Sequence, residues 1–387
     1  MSQRPVIVVA SDSFKGSLTS KEVNDCIAAA ILQLKPECVV KAVEIADGGE
    51  GTSGVLTRAL GGDSVSAVAS DPLGREITAH HGVAGNVAII DLAAASGLTL
   101  VGPDERNPLL TSTFGLGQLI HDALARGCRD FLIGIGGSAT NDGGIGMLSA
   151  LGYRFIAKDG NRVEGRGVDL CRINSVDDSH RLTELNDARI TVACDVANPL
   201  IGPNGASVIF GPQKGANKAM VLALDNGLRR LAKVTADFIG KDFSTAPGAG
   251  AAGGVGFALM AYLGAELKPG VDMVLDAVGF DDLIEGASLV ITGEGCLDGQ
   301  TTMGKAPYGV LQRAKHHNVP VVAIGGRVET AAIPELFNAG FAAVYSTTSS
   351  ATFNPSTDLL PAIARANLTR TISAILATDN LLNRNEI

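Results

Sequence analysis

The chain has 387 residues, of which 46% are hydrophobic and 18% charged, with 48 glycines and no tryptophan. That length supports two substantial cores and is too long for one ordinary domain. A net charge of −9 and a pI near 5.2 argue against nucleic acid or an anionic membrane as partner, so an anionic ligand has to be held by local donors.

The six cysteines are scattered, with no C-x-x-C and no zinc spacing, which fits reduced thiols and a cytoplasmic location. The apolar run after Pro5 lasts only from Val6 to Ala10, so no signal peptide is expected. Pro247 to Ala265 is uncharged but rich in Gly and Ala, and reads as a tightly packed soluble helix with a glycine entry rather than a membrane span.

Val6 to Ala10 reads as a buried parallel strand, followed by the polar loop Ser11 to Gly16. Thr19-Ser-Lys-Glu22 is a capping box, opening a helix whose inner face is Val23, Ile27, Ile31 and Leu34. Pro36 ends it. Val39 to Ile45 is a second strand, running into Asp47-Gly-Gly-Glu50-Gly51, and a helix carrying Val55, Leu56 and Leu60 follows.

The last hundred residues resume this rhythm. Strands are expected at Leu289–Thr292, Val319–Ile324 and Ala342–Tyr345, with a loop from Gly293 to Gly304. Helices are expected at Lys305–His317, Pro334–Asn338 and Leu359–Ala377. The two ends together supply five β-α units, the content of a flavodoxin-like doubly wound parallel sheet of the α/β class.

The middle breaks the pattern with hairpin-like pieces (Glu76 to Gly82, Ala88 to Leu92), helices at Leu116–Arg126 and Met220–Ile239, and glycine-bearing loops. The expected organisation is therefore a discontinuous domain, residues 1–64 plus 286–387, with a second α/β domain, 65–285, inserted between its second and third strands. A cleft between the domains is the expected active-site location.

The most informative stretch is Phe131 to Met147. An apolar strand enters Gly134-Ile-Gly136-Gly137-Ser138-Ala-Thr140-Asn141-Asp142 and leaves as a helix from Ile145. Backbone N–H groups of such a loop converge on one point with the helix dipole behind them, which suits phosphate. Gly136 and Gly137 remove the Cβ atoms that would hold an anion away, and Ser138, Thr140 and Asn141 add side-chain donors. Asp142 offers a carboxylate for a metal or a helix cap. The same residues satisfy G-x-G-x-x-A with Asp159 downstream, the fingerprint of a nicotinamide cofactor. Asp159-Gly-Asn161 reads instead as a turn into a short strand around Arg162 and Val163, which leaves an NAD-dependent oxidoreductase of a small hydroxy acid as the alternative.

Three strand-end loops gather Lys15 with Asp12, Asp47, Glu50, Glu294 and Asp298. Acids beside a lysine and glycines suit a magnesium nucleotide, the acids holding the cation and the lysine neutralising phosphate oxygens. Asp47 and Asp298 are the candidate metal ligands. Gly299 to Lys305 is a near miss to a P-loop, with Ala306 where the Ser/Thr should be. Asp195 follows a strand, Lys214 lies between glycines, and Arg106 offers a guanidinium for a carboxylate. Together with a phosphate cradle these describe phosphoryl transfer to a small acid.

Ser11-Asp-Ser-Phe-Lys-Gly-Ser, Ala46-Asp-Gly-Gly-Glu-Gly-Thr, Ala93-Ala-Ala-Ser-Gly, Arg106-Asn-Pro-Leu-Leu, the Ile133 to Gly144 loop, Ala193-Cys-Asp-Val, Phe210-Gly-Pro-Gln-Lys-Gly-Ala and Ile291-Thr-Gly-Glu-Gly closely resemble the bacterial type I glycerate kinases, in order and over nearly the whole chain. The resemblance implies an ATP- and magnesium-dependent kinase of D-glycerate, with 2-phosphoglycerate as the expected product and a homo-oligomer as an open option. On that reading Asp195, Lys15 and Lys214 are the catalytic candidates. Two positions depart from the family pattern: Ser11 stands where the family usually has Pro, and Cys296 where it usually has Arg after Gly-Glu-Gly. Lys305 or Arg327 is the candidate replacement for that guanidinium.

Overall fold

The computed structural model describes residues 4–48, 51–349 and 353–377. The chain forms two compact units, Met1–Asp47 with Val274–Ile387, and Gly48–Met273. Among the described residues no helix is long and apolar enough to cross a membrane.

The discontinuous unit is built on five parallel strands in the spatial order Val39–Ala42, Val6–Val9, Leu289–Leu297, Val321–Val328, Ala343–Ser346. In chain order this is 2-1-3-4-5, the flavodoxin-like arrangement. Side chains alternate between the faces. Ile7, Val9, Leu289, Ile291, Val322 and Ile324 pack with Val23, Ile27 and Ile31 of the helix Ser20–Leu34 and with Leu368 and Ile372 of the C-terminal helix Pro361–Ala377. Val8, Val290 and Val321, of opposite parity, are equally buried, and the helix Ala306–His316 packs on the third and fourth strands. The capping box forms: the Thr19 hydroxyl accepts from the Glu22 N–H and the Glu22 carboxylate from the Thr19 N–H. Leu34, expected on the inner face, is exposed, because the helix ends there and Lys35 caps it.

The third strand is longer than expected. Gly293 to Leu297 continue the pairing with Ile324 to Val328 instead of forming a loop, so Glu294 is a strand residue. A Cβ at Gly293 would lie 2.2 Å from the Ile324 carbonyl oxygen, so the glycines mark close strand approach and not a turn.

The inserted unit holds a six-stranded sheet in the order Glu266–Lys268, Arg189–Ala193, Asp130–Gly134, Val87–Asp91, Glu76–Ala84, Asp63–Ser70. The first four strands are parallel and the last two extend the sheet as an antiparallel meander. Asp63–Ser70, an alternation of serines with alanines and valines, carries too little apolar contrast to announce a strand. The helix Thr52–Ala59, expected with the first domain, packs in this unit on the strands Glu76–Ala84 and Val87–Asp91. Its Ser53 hydroxyl donates to Asp91 at 2.6 Å, and Gly82 leaves the room that Thr57 fills. Arg154–Ala157 pairs with Ile173–Asp177 in a separate antiparallel pair, and Arg162 contributes only an isolated bridge. The glycine-entered helix is Val255–Leu263, closed by Gly264 in the left-handed conformation.

Candidate active site

Three parallel strands of the inserted unit end side by side, with Asp91, Gly134 and Ala193 in register. The middle strand runs into the glycine loop. The loop is stitched to the segment after Asp91: the Leu98 N–H donates to the Gly137 carbonyl and the Ala139 N–H to the Ser96 carbonyl. Beneath it Asp142 is fully buried and accepts from Thr113 N–H and Oγ1, both at 2.7 Å, and from the N–H groups of Gly144 and Gly146. Of the two roles open to Asp142 the structure has the cap: two bonds hold the start of the helix Ile145–Ala150, and two tie it to Thr113 at the start of the helix Phe114–Ala125. Burial pushes its carboxyl above the usual range, and those bonds oppose the shift.

A cavity of about 230 Å³ lies over the loop, lined by Gly136, Gly137 and Ser138 and by Asp195 and Lys214. At Gly136 the backbone borders open space, since a Cβ there would find no neighbour within 4 Å. Lys214 is the unusual element. Its side chain is 2% exposed, and its ammonium donates to Ser138 Oγ at 2.7 Å and to the Thr140 carbonyl at 2.6 Å. Burial lowers its pKa from 10.5 to about 7, with the charge of Asp142 pulling the other way. Asp195 lies two residues past its strand, and its Oδ1 accepts from the Gly270 N–H at 2.8 Å. Ala252, in a left-handed conformation at φ 52°, completes the wall and was not legible in the sequence.

Thr140 and Asn141 do not reach the cavity. Both are fully buried, Asn141 donating to Ser207 Oγ at 3.1 Å, while Thr140 Oγ1 and Asn141 Oδ1 have no protein partner. Arg106 also stands behind the wall: its backbone packs on Gly215, and its buried Nε has no protein partner.

Lys15, Asp47, Glu294 and Asp298 belong to the other unit, at the carboxyl ends of its parallel strands. Glu50 lies outside the described residues. Asp12 joins this group. The loop carrying it is held by Asn24, whose Oδ1 accepts from the Ser11 N–H at 2.8 Å and whose Nδ2 donates to the carbonyls of Ser11 and Val43. Glu294 is buried, accepts from Thr301 Oγ1 at 2.7 Å, and pairs with Lys305 at 3.5 Å; Lys305 also reaches Asp298 at 3.4 Å. Lys305 is thus neither a solvated charge nor part of a P-loop. Burial raises Glu294 to about 7, Thr301 and Lys305 opposing and Asp298 and Asp12 adding to the shift. Burial likewise raises Asp12 to about 6, the Ser13 N–H opposing and Asp47 adding to it. Among the described residues no three acids, histidines or cysteines converge closely enough to hold a metal unaided. Cys296 lies opposite Arg327, whose guanidinium reaches its Sγ at 3.4 Å and stacks over the Phe353 ring.

The nicotinamide alternative finds no support. Its Asp159 follows a strand that lies outside the parallel sheet, so the βαβ unit that the fingerprint requires is not built.

Comparison with known proteins agrees with this geometry. Residues 7–379 match the model of the glycerate kinase family. A glycerate 2-kinase of Escherichia coli K12 is 47% identical over 322 residues, 83% of this chain and 84% of that protein. A glycerate kinase of Bacillus cereus is 46% identical over 350 residues, 89% and 91% of the two chains. A solved structure from Salmonella typhimurium LT2, assigned as a glycerate kinase 2, superposes with a TM-score of 0.86 at 40% identity, covering 97% of this chain and all of the other.

Proposed function

Because the chain belongs to the glycerate kinase family, we propose that it transfers the γ-phosphoryl group of ATP to D-glycerate and forms 2-phosphoglycerate. The observation that carries this reading is the buried Lys214 ammonium, fixed by Ser138 and Thr140 in a cavity that the glycine backbone of Gly136 and Gly137 also lines. A buried lysine beside glycine backbone is built for an anion rather than for a neutral ligand.

In the inserted unit, Gly136, Gly137 and Ser138 would cradle phosphate or carboxylate oxygens with Lys214 as the charge. Thr140, Asn141 and Arg106 would support that cradle from behind. Asp195, held by the Gly270 N–H, would accept the proton of the attacking hydroxyl as the phosphoryl group moves.

In the discontinuous unit, Asp47 and Asp298 would hold magnesium, with Lys15 and Glu294 toward the nucleotide. Carboxylate oxygens are the right donors for this hard cation. Magnesium keeps waters and takes one or two carboxylates plus phosphate, so two acids suffice. Bound there, the ion would neutralise the phosphate oxygens.

The test is an ADP-release assay over a panel of three- and four-carbon hydroxy acids, with the product identified by phosphorus NMR. D-glycerate should give a phosphoester on its 2-oxygen. An ATP-dependent product from another acid, with none from D-glycerate, would reassign the substrate.

A further inference from the structure

The glycine loop has a second cavity on it, of about 60 Å³, which shares Gly48, Gly136 and Gly137 with the larger one and is closed by Asp91, Ala93 and Thr99. Asp91 is the last residue of its strand, in register with Gly134, and Gly134 stands in turn beside Ala193 just before Asp195. Carboxylates thus stand on both flanks of the glycine loop, one in each cavity. A Cβ at Gly134 would lie 2.9 Å from Asp91 Oδ1, so glycine at this strand end is what lets the carboxylate lie against it. The other oxygen, Oδ2, accepts from the Ser53 hydroxyl at 2.6 Å, which fixes the carboxylate's rotation.

Size and charge restrict what enters. About 60 Å³ is on the order of two water molecules, room for a hydroxymethyl group and far too little for a nucleobase. A carboxylate at the end of a compartment otherwise lined by glycine, alanine and threonine repels a second carboxylate or a phosphate and accepts a hydroxyl proton.

Resting on the kinase reading above, we propose that Asp91 is a specificity-determining residue whose compartment binds the non-reacting hydroxyl of the acceptor acid. The acid is then held at three points: its anionic end by Lys214 and the loop, its reacting hydroxyl by Asp195, and its remaining hydroxyl by Asp91. Three points of unlike chemistry distinguish a D from an L hydroxy acid and reject acids that lack the second hydroxyl.

The experiment compares kcat/KM for D-glycerate with that for D-lactate and 3-hydroxypropanoate, each of which lacks one hydroxyl, taking the analogue as competitive inhibitor where turnover is too slow. Asp91→Ala should cut the preference for D-glycerate over the analogue lacking the non-reacting hydroxyl by about tenfold to a hundredfold and leave KM for ATP unchanged. Ser53→Ala, which removes the hydroxyl bonded to Oδ2 and keeps the carboxylate, should retain the preference. If Asp91→Ala does not fold, Asp91→Asn carries the same comparison with a smaller expected change. An unaltered preference overturns the proposal, as does the same loss in Ser53→Ala or an effect on ATP alone. Failure of the unaltered protein to phosphorylate D-glycerate would instead overturn the kinase reading, and this proposal with it.

Discussion

Lys214 concentrates the chemistry of the inserted unit in one side chain. Its folded pKa of about 7 lies below the 10.5 of the free group, so the unfolded chain binds the proton more tightly. Below pH 7 both states are charged and the full cost of burying the ammonium weighs on the fold. From pH 7 toward 10.5 the folded state is neutral first, and the contribution to stability rises. Lys214→Met should flatten the pH dependence of unfolding across that window, read by denaturant titration. The same group makes anion binding proton-linked: at pH 8 the unaltered protein should take up a proton on binding D-glycerate, seen as a dependence of the calorimetric enthalpy on buffer ionisation. Lys214→Met should lose that dependence. Asp195 makes a different prediction. Asp195→Asn keeps an oxygen for the Gly270 N–H and removes the base, so turnover should fall by about a hundredfold with KM for D-glycerate little changed. A loss confined to ATP affinity would move the base role away from Asp195. At Ser11 the departure from the family's usual Pro gains a bond as well as flexibility, since its N–H donates to Asn24 and a proline has none to give.

Among the elements, the glycine loop is the one whose parts can be separated. Gly136 has an ordinary backbone conformation and open space beyond its Cβ, whereas Gly137 sits at φ +69°. Gly136→Val should therefore abolish binding of the anionic ligand with the melting temperature nearly unchanged. Gly137→Val should lose stability as well, because a β-branched residue is strained there. Intact calorimetric binding in Gly136→Val would show that the loop does not meet the ligand. The loop was legible because it combines strand, glycines and helix in one continuous stretch, and the first helix because Thr19 and Glu22 spell its cap. Glu294 reads as a loop residue because Gly293 and Gly295 look like turn chemistry, and only the folded chain reveals that Gly293 permits close pairing with the next strand and Gly295 close approach of the Phe14–Lys15 backbone. Asp91 and the burial of Lys214 could not be read. Asp91 follows an ordinary apolar strand, and Lys214 is buried by contacts from residues more than seventy positions away.

At the scale of the molecule, the parallel order 2-1-3-4-5 was legible from five β-α units split between the ends of the chain, but the limits of the insertion were not. The helix Thr52–Ala59 looks like the next unit of the first sheet, and only its bond to Asp91 and its fit against Gly82 assign it elsewhere. The inserted unit has a contiguous apolar core made wholly from its own residues, Ala67 through Ala265. A fragment spanning residues 48–273 should therefore fold alone and unfold cooperatively, as read by circular dichroism and denaturant titration. A fragment lacking a cooperative transition would show that this core depends on the rest of the chain.

The central strand of the first sheet, Leu289–Leu297, comes late in the chain, and this has a consequence during biosynthesis. Val6–Val9 and Val39–Ala42 leave the ribosome with one sheet edge unfilled, and the partner for that edge is roughly 250 residues behind. At ~5–20 residues per second that is a wait of about 12–50 s. Throughout it the apolar face of the first helix, Val23, Ile27 and Ile31, has only half of its eventual cover, since Leu368 and Ile372 are made later still. The nascent N-terminus is thus a client for chaperones while the insertion can already complete its own core, and slowing translation should lengthen the exposure of the first without affecting the second.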